Sequence, residues 1–149
     1  MITIRELTGD DIESAGLITN ASGRFTPDAV DIIENARIER EAGLDTLAYG
    51  LMHGKTMVGV VTLRADDRRD TLSVCEFLIG DAYKRRGFGK AAMLAVVGFA
   101  AANGYRGLDL AVHASNAAKR LFESVGFYPT GGFSAEAFEL MTLTLGAKR

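Results

Sequence analysis

The sequence predicts a single mixed α/β domain, and three observations predict it. Short runs rich in β-branched and aromatic residues, patterned with period two, alternate with segments of helical spacing, so strands and helices share one chain. Gly87-Phe88-Gly89 lies between an apolar run and an apolar helical segment, a strand-turn-helix arrangement suited to holding an anion. The 149 residues contain no internal repeat and no low-complexity linker, and the length fits one domain, residues 1–149, with a sizeable core.

Taken in order, Ile2 to Glu6 (ITIRE) alternates apolar and polar residues like a half-buried strand, and Thr8 with Asp11 reads as a capping box opening a helix to about Asn20. Thr26 caps a second helix with Pro27 at its first position, and Ala29, Ile32, Ile33 and Ala36 recur at helical spacing until Gly43. Its outer face, with Glu34, Arg37, Glu39, Arg40 and Glu41, is either solvated or borders a substrate cleft. Thr46 to His53 and Thr56 to Arg64 predict antiparallel strands joined at Gly54-Lys55. Asp66 to Asp70 (DDRRD) is a charged loop, and Leu72 to Gly80 (LSVCEFLIG) is apolar on both faces, hence central in its sheet, with Glu76 the anomaly inside it. The helix from Gly87 to Asn103 is apolar nearly all round and rich in small residues, which suits close packing on a sheet, and Gly104 stops it. Leu108 to His113 is a further apolar strand, parallel to the one at 72–80 if the helix between them is a right-handed crossover. Ser115 or Asn116 caps a short helix to about Val125, and Phe127 to Thr130 with Phe138 to Leu145 predicts a closing hairpin around a loop at 131–136.

The formal charge of −2 is spread along the chain, which argues against an electrostatic affinity for nucleic acid or an anionic membrane. Positive charge is concentrated only at Lys84, Arg85, Arg86 and Lys90. One cysteine, Cys75, speaks against a disulfide framework, and neither a leader-like segment nor a long apolar span is evident, so a cytoplasmic location is expected. Arg86 to Gly89 (RGFG) matches the start of an RNA-recognition strand, but Lys90, Ala91, Ala92 and Met93 lack the aromatics that stack bases. A dinucleotide-binding turn would need a third glycine and an acidic residue about 20 positions on.

This order of elements resembles the GNAT superfamily, the acetyl-CoA-dependent N-acetyltransferases, over the full chain. LIGDAYKRRGFGKAAM is similar to the family's pyrophosphate-binding motif (Gln or Arg, two residues, Gly, any residue, Gly or Ala), and AAKRLFESVGF is similar to its second motif, which ends in Gly-Phe. The resemblance implies acetyl-CoA as acyl donor, with no metal. It implies that backbone amides of Arg85, Arg86, Gly87, Phe88, Gly89 and Lys90 cradle the pyrophosphate. The main chain of Phe77, Leu78 and Ile79 would pair with the pantetheine arm, in a slot where the two parallel strands splay apart. Lys84 takes the Gln/Arg position, keeping the reach without the planar donor head. Ser115, counting back from Gly126, and its neighbour Asn116 share the place of the family's asparagine, as coenzyme contacts or as caps. Phe122 stands where a thiolate-protonating tyrosine is frequent, and Tyr128 is the nearby phenol that would substitute, with packing as its other role.

An amine acceptor is protonated in water and must lose a proton to react. Glu76, in an otherwise apolar strand, is the candidate base, since burial raises a carboxyl pKa; an ion pair is its other reading. His113 and His53 are weaker candidates, and direct transfer gives Cys75 no nucleophilic role. The resemblance therefore implies acetyl transfer to a primary amine, on a small molecule or a peptide, by direct attack in a ternary complex. The other reading is a domain that binds acyl-CoA without catalysis, as a sensor or partner-binding module. The helices at 10–20 and 26–42 and the loops at 66–70 and 131–136 would border the acceptor. Family habit suggests a homodimer, with Phe138 to Leu145 as an exposed strand taking part.

Overall fold

A computed structural model describes residues 1–18, 29–113, 118–133 and 138–146. Strands β1 (Ile2–Glu6), β2 (Thr46–His53), β3 (Thr56–Asp66), β4 (Thr71–Ile79), β5 (Gly107–His113), β6 (Tyr128–Phe133) and β7 (Phe138–Thr144) form one seven-stranded sheet in the order β1-β2-β3-β4-β5-β7-β6. All neighbours are antiparallel except β4 and β5. The helices are α1 (Ile12–Gly16), α2 (Ala29–Glu41), α3 (Phe88–Ala102) and α4 (Ala118–Val125), and α3 provides the crossover between the two parallel strands.

The alternation of side chains along the strands divides the apolar residues between two cores. On one face α3 inserts Ala92, Met93, Val96 and Ala100 against Val61, Leu63, Leu108, Leu110, Met141 and Leu143. On the other, Ala15 of α1 with Ala29 and Ile32 of α2 cover Met52, Met57, Val60 and Leu78. Each large side chain so enclosed stabilises the fold by about 1.5–3 kcal/mol. Covered on both faces, β4 is central, as its sequence predicts. At Gly59 on β3 an added Cβ would lie 2.2 Å from the Leu78 carbonyl oxygen, so only glycine allows the two strands to approach here.

Pairing of β4 with β5 covers only Thr71 to Val74 against Gly107 to Leu110, although both strands run on. The separation begins at a bulge. On the β3 side, Leu63 pairs with Val74 but Thr62 pairs with Glu76, so Cys75 is an extra residue. A bulge bends and twists its strand, which turns the end of β4 away from β5. It also exchanges the faces: Leu72 and Val74 enter the α3 core before it, whereas Ile79 and Phe77 do so after it and Leu78 joins the α1/α2 core.

Several boundaries differ from the sequence expectation. The first helix is a 3-10 turn at Gly9–Asp11 followed by α1, which ends at Gly16 rather than near Asn20. The Thr8/Asp11 pair is present: Asp11 accepts the Thr8 backbone N-H at 2.8 Å and is also gripped by Arg5 at 2.9 Å, which ties β1 to α1. The caps Thr26, Ser115 and Asn116 lie outside the described residues, as do positions 134–137 of the closing loop. Strand β6 extends to Phe133, beyond the expected Thr130. Phe138 to Leu145 is not an exposed strand. Its residues 138–144 form β7, which is paired with β5 on one side and β6 on the other, so the edge is β6. The hydroxyl-bearing and apolar residues of β7 gave no sign of this insertion, because strand order is set by distant partners.

Asp11 is only 7% exposed, and the Arg5 hydrogen bonds hold its carboxyl below the usual 3.8. Its contribution is therefore complete above that pH and lost as pH falls through the lowered value. Asp11→Asn should reduce stability by about 1 kcal/mol at pH 7 in urea denaturation, and the difference from wild type should shrink below pH ~3.8.

Candidate active site

The turn between β4 and α3 is built from backbone conformation. Gly80 and a 3-10 turn at Asp81–Tyr83 lead to Lys84, which is extended; Arg85 then has φ 61° and Gly87 has φ 81°, both left-handed. Left-handed residues one apart turn successive N-H groups toward a common point. Gly87 is the N-cap of α3 and supplies no side-chain hydrogen bond to the first turn, whose intrahelical bonding starts with Ala91 N-H to the Gly87 carbonyl. The amides of the first helical residues are thus left for a ligand, at the positive end of the helix dipole. An added Cβ at Gly87 would meet nothing within 4 Å, so the space before it is open.

The basic side chains of this turn are largely engaged elsewhere. Lys84 forms an ion pair with Asp81 at 3.0 Å. The guanidinium of Arg86 lies 5.3 Å from the Phe88 ring and 6.0 Å from that of Tyr83. Phe88 packs against Tyr83 and against His53, whose ring is 5.0 Å away. Phe88 and His53 thereby anchor the turn to the β2–β3 hairpin, and RGFG opens a helix instead of lying in a strand. Arg85 and Lys90 are exposed, and a Cβ added at Gly89 would lie 3.4 Å from the side chain of Leu121.

Beyond the bulge, Glu76, Phe77, Leu78 and Ile79 pair with β3 on one side, while the β5 side carries no ladder. This leaves main-chain groups of Phe77, Leu78 and Ile79 along an open slot. The aromatic wall beside it is Phe77 against Phe122, with ring centroids 6.2 Å apart, and Phe122 against Phe127 at 6.0 Å.

Across the sheet from α3 lies a cavity of about 560 Å³. Its floor is made by side chains that alternate with the core: Ser73, Cys75, Glu76, Asp109, Ala111 and Thr142. Glu39 of α2 and Arg64 of β3 close one side, and Arg69 stands beside Asp109. Glu76 reaches this side only because of the bulge. Burial is the main cause that raises its carboxyl above the usual 4.5; a hydrogen bond from Asn35 opposes this, and the charges of Glu39 and Asp31 reinforce it. Its Oε2 is buried and has no hydrogen-bond partner among the described residues. Burial also pushes the Cys75 thiol up, so it stays protonated and weakly nucleophilic. Glu39 differs: burial would raise it, but hydrogen bonds from Arg64 and Thr46 outweigh that and hold it down.

The structure thus gathers the turn at Lys84 to Lys90, the free edge of β4 at Phe77 to Ile79 and Glu76. It does not bring Tyr128 to them. Tyr128 is on edge strand β6, separated from β5 by β7, and its hydroxyl bonds Thr144 at 2.9 Å, level with Gly107 at the start of β5. His113 ends β5, while His53 belongs to the packing of the turn. Sequence reasoning missed Asp109 and Arg64 as lining residues, whereas Glu39 lies on the helix face expected either to be solvated or to border a cleft. The signal for Asp109 was present, an acidic residue between Leu108 and Leu110 in an apolar strand.

The fold is thus an α/β domain in which a central parallel pair parts beside a turn with free backbone amides at a helix start. The chain belongs to the acetyltransferase (GNAT) family, whose model matches residues 17–127. Its fold is similar to a ribosomal-protein alanine N-acetyltransferase from Escherichia coli, with 23% identity, TM-score 0.73, and coverage of 100% of this chain and 97% of that one. It is also similar to the PaiA N-acetyltransferase from Thermoplasma acidophilum in complex with coenzyme A, with 18% identity, TM-score 0.71 and coverage of 97% and 99%. The spermidine N-acetyltransferase from Vibrio cholerae in complex with CoA and spermine has 14% identity, TM-score 0.73 and coverage of 96% and 95%. Comparison with curated proteins finds no match. Among the described residues no helix is long and apolar enough to cross a membrane.

Because Gly87 sits at φ 81°, Gly87→Ala should cost about 1 kcal/mol in thermal or urea unfolding. Arg85→Gly should leave stability within about 1 kcal/mol of wild type, since relief of the left-handed strain and the added freedom of the unfolded chain oppose each other.

Proposed function

We propose that this protein transfers the acetyl group of acetyl-CoA to a primary amine by direct attack within a ternary complex. One observation carries the reading: the free edge of β4 runs from the anion-holding turn to Glu76 at the floor of a cavity, a half-buried carboxylate whose Oε2 has no hydrogen-bond partner among the described residues. The residues present fit the donor. The amides from Arg85 to Lys90 suit the pyrophosphate, and the open edge at Phe77 to Ile79 suits the amide-bearing pantetheine arm as an added strand. Two of the structural relatives are in complex with coenzyme A, and one of these with spermine as well, which supports this donor and an amine acceptor.

In this reading the acceptor ammonium enters from the cavity and gives a proton to Glu76. The freed nitrogen lone pair attacks the thioester carbonyl, and a β4 backbone N-H facing the slot stabilises the oxyanion. The carbon–sulfur bond then breaks, the extra proton still on the attacking nitrogen passes to solvent, and the thiolate departs. With a free thiol pKa of about 8.5 it leaves without a dedicated acid, which agrees with Phe122 standing beside the slot and Tyr128 lying away from it. The raised pKa of Glu76 keeps it a competent base near neutral pH and places the acidic limb of kcat/KM above 4.5.

Acetyl-CoA should raise the melting temperature of the wild type, and Gly89→Tyr, which wedges a ring between the first turn of α3 and Leu121, should abolish the shift; equal shifts in both proteins would remove the cradle. Glu76→Gln should lower kcat by about 100-fold or more at pH 7 with little change in that thermal shift. A group with a raised pKa stabilises the fold most below its unfolded value and least once ionised, so Glu76→Gln should also be at least as stable as wild type at pH 7, with no advantage below pH ~4. Unchanged turnover would reassign the base. If the coenzyme binds but no amine in a mixed library releases thiol, the protein is an acyl-CoA-binding sensor.

A further inference from the structure

The cavity holds a second acidic group that the transfer chemistry does not use. Asp109 projects from β5 onto the same floor as Glu76, and its Oδ1 is buried without a hydrogen-bond partner among the described residues. Its other oxygen has only a long contact, 3.6 Å, to Arg69, whose side chain is 65% exposed. Such an exposed pair is worth little and yields readily to a competing cation. The remaining charges leave the floor acidic: Arg64 is held by Glu39 and by Thr46 at 3.2 Å, so it does not offset Glu76 or Asp109. A buried carboxylate oxygen left unmatched is costly, and a matching donor from a bound molecule removes that cost.

We propose that Asp109 binds a second positive charge on the acceptor, so that the preferred substrates are diamine-type dications. The inference rests on the reading of Glu76 as the group that receives the reacting amine. The geometry sets the span. Asp109 pairs with Ser73, and Glu76 lies three positions further along β4. Because the bulge sets Ser73 opposite Arg64 and Glu76 opposite Thr62, the two are separated by only about 7 Å along the strands; with Asp109 one strand across, at about 5 Å, the two carboxylates stand roughly 8 Å apart, a span that a dication with nitrogens up to about 9 Å apart bridges. An acceptor with a distal carboxylate meets Asp109, Glu76 and Glu39 instead, and is repelled. Asp109 is thus a specificity residue, remote from the bond that forms.

The test is a ladder of three acceptors of equal length that differ only in the distal group: diaminohexane, aminohexanol and aminohexanoate. With acetyl-CoA and thiol release as the readout, kcat/KM for diaminohexane should exceed that for aminohexanol by about 10-fold or more, well beyond the factor of two from its second reactive end, and aminohexanoate should be poorest. Asp109→Asn should bring diaminohexane to within about threefold of aminohexanol, a loss of selectivity that a merely structural role does not produce. Equal rates across the wild-type ladder, or an equal loss on all three substrates in the variant, overturns the assignment while leaving the acetyl-transfer reading intact. If none of the three and no other amine releases thiol although acetyl-CoA still protects the fold, the transfer reading fails and this one with it. The wild-type ladder decides the matter even if the variant folds poorly.

Discussion

The site depends on one extra residue in one strand. Cys75 bulges out of the β3–β4 ladder one position after the last β4–β5 pair, and three consequences follow from that displacement. The strand bends, so the parallel pair opens and leaves backbone groups without a partner. The alternation shifts, so Phe77 and Ile79 face the α3 core. Glu76, which uninterrupted alternation would put beside Leu72 and Val74 under α3, faces the cavity. A sheet centre is normally closed by hydrogen bonds and covered on both sides; here a bulge makes it accessible without uncovering the cores.

The two ends of the slot use different electrostatics. At the turn, the attraction for an anion comes from oriented amides and a helix start, because Lys84 is paired with Asp81 and Arg86 is stacked over aromatic rings. Fixed dipoles of this kind need no reorganisation when a phosphate arrives and are set by φ angles at Arg85 and Gly87. At the cavity, the carboxylates of Glu76 and Asp109 are raised by burial more than they are lowered by partners, while Glu39 is held down by Arg64 and Thr46. The same cavity therefore contains groups suited to taking up protons or cations and one that is structurally committed.

Much of this was legible in the chain. The elements, their order, the Gly54 hairpin and the turn at Gly87 all follow from short-range rules, and so does the anomaly of a glutamate inside an apolar strand. Less legible were features fixed by distant partners. The first helix stops at Gly16, where the sequence pattern allowed it to continue. Strand β7 inserts between β5 and β6, so the presumed free edge is paired on both sides. Tyr128 is near Gly-Phe in sequence, yet it is carried two strands from the slot because the chain leaves α4 toward the outer edge.

The sequence alone determined that this is an α/β domain with an anion-holding turn at the start of α3, since turn chemistry and periodicity are properties of a few adjacent residues. Only the tertiary structure decided which carboxylates share a cavity. The face on which a strand residue emerges depends on register against its neighbour, and a bulge at Cys75, invisible in a run of apolar residues, changes that register. The Asp109–Glu76 floor exists because β4 is out of step with β3 by one residue and apart from β5 beyond Val74.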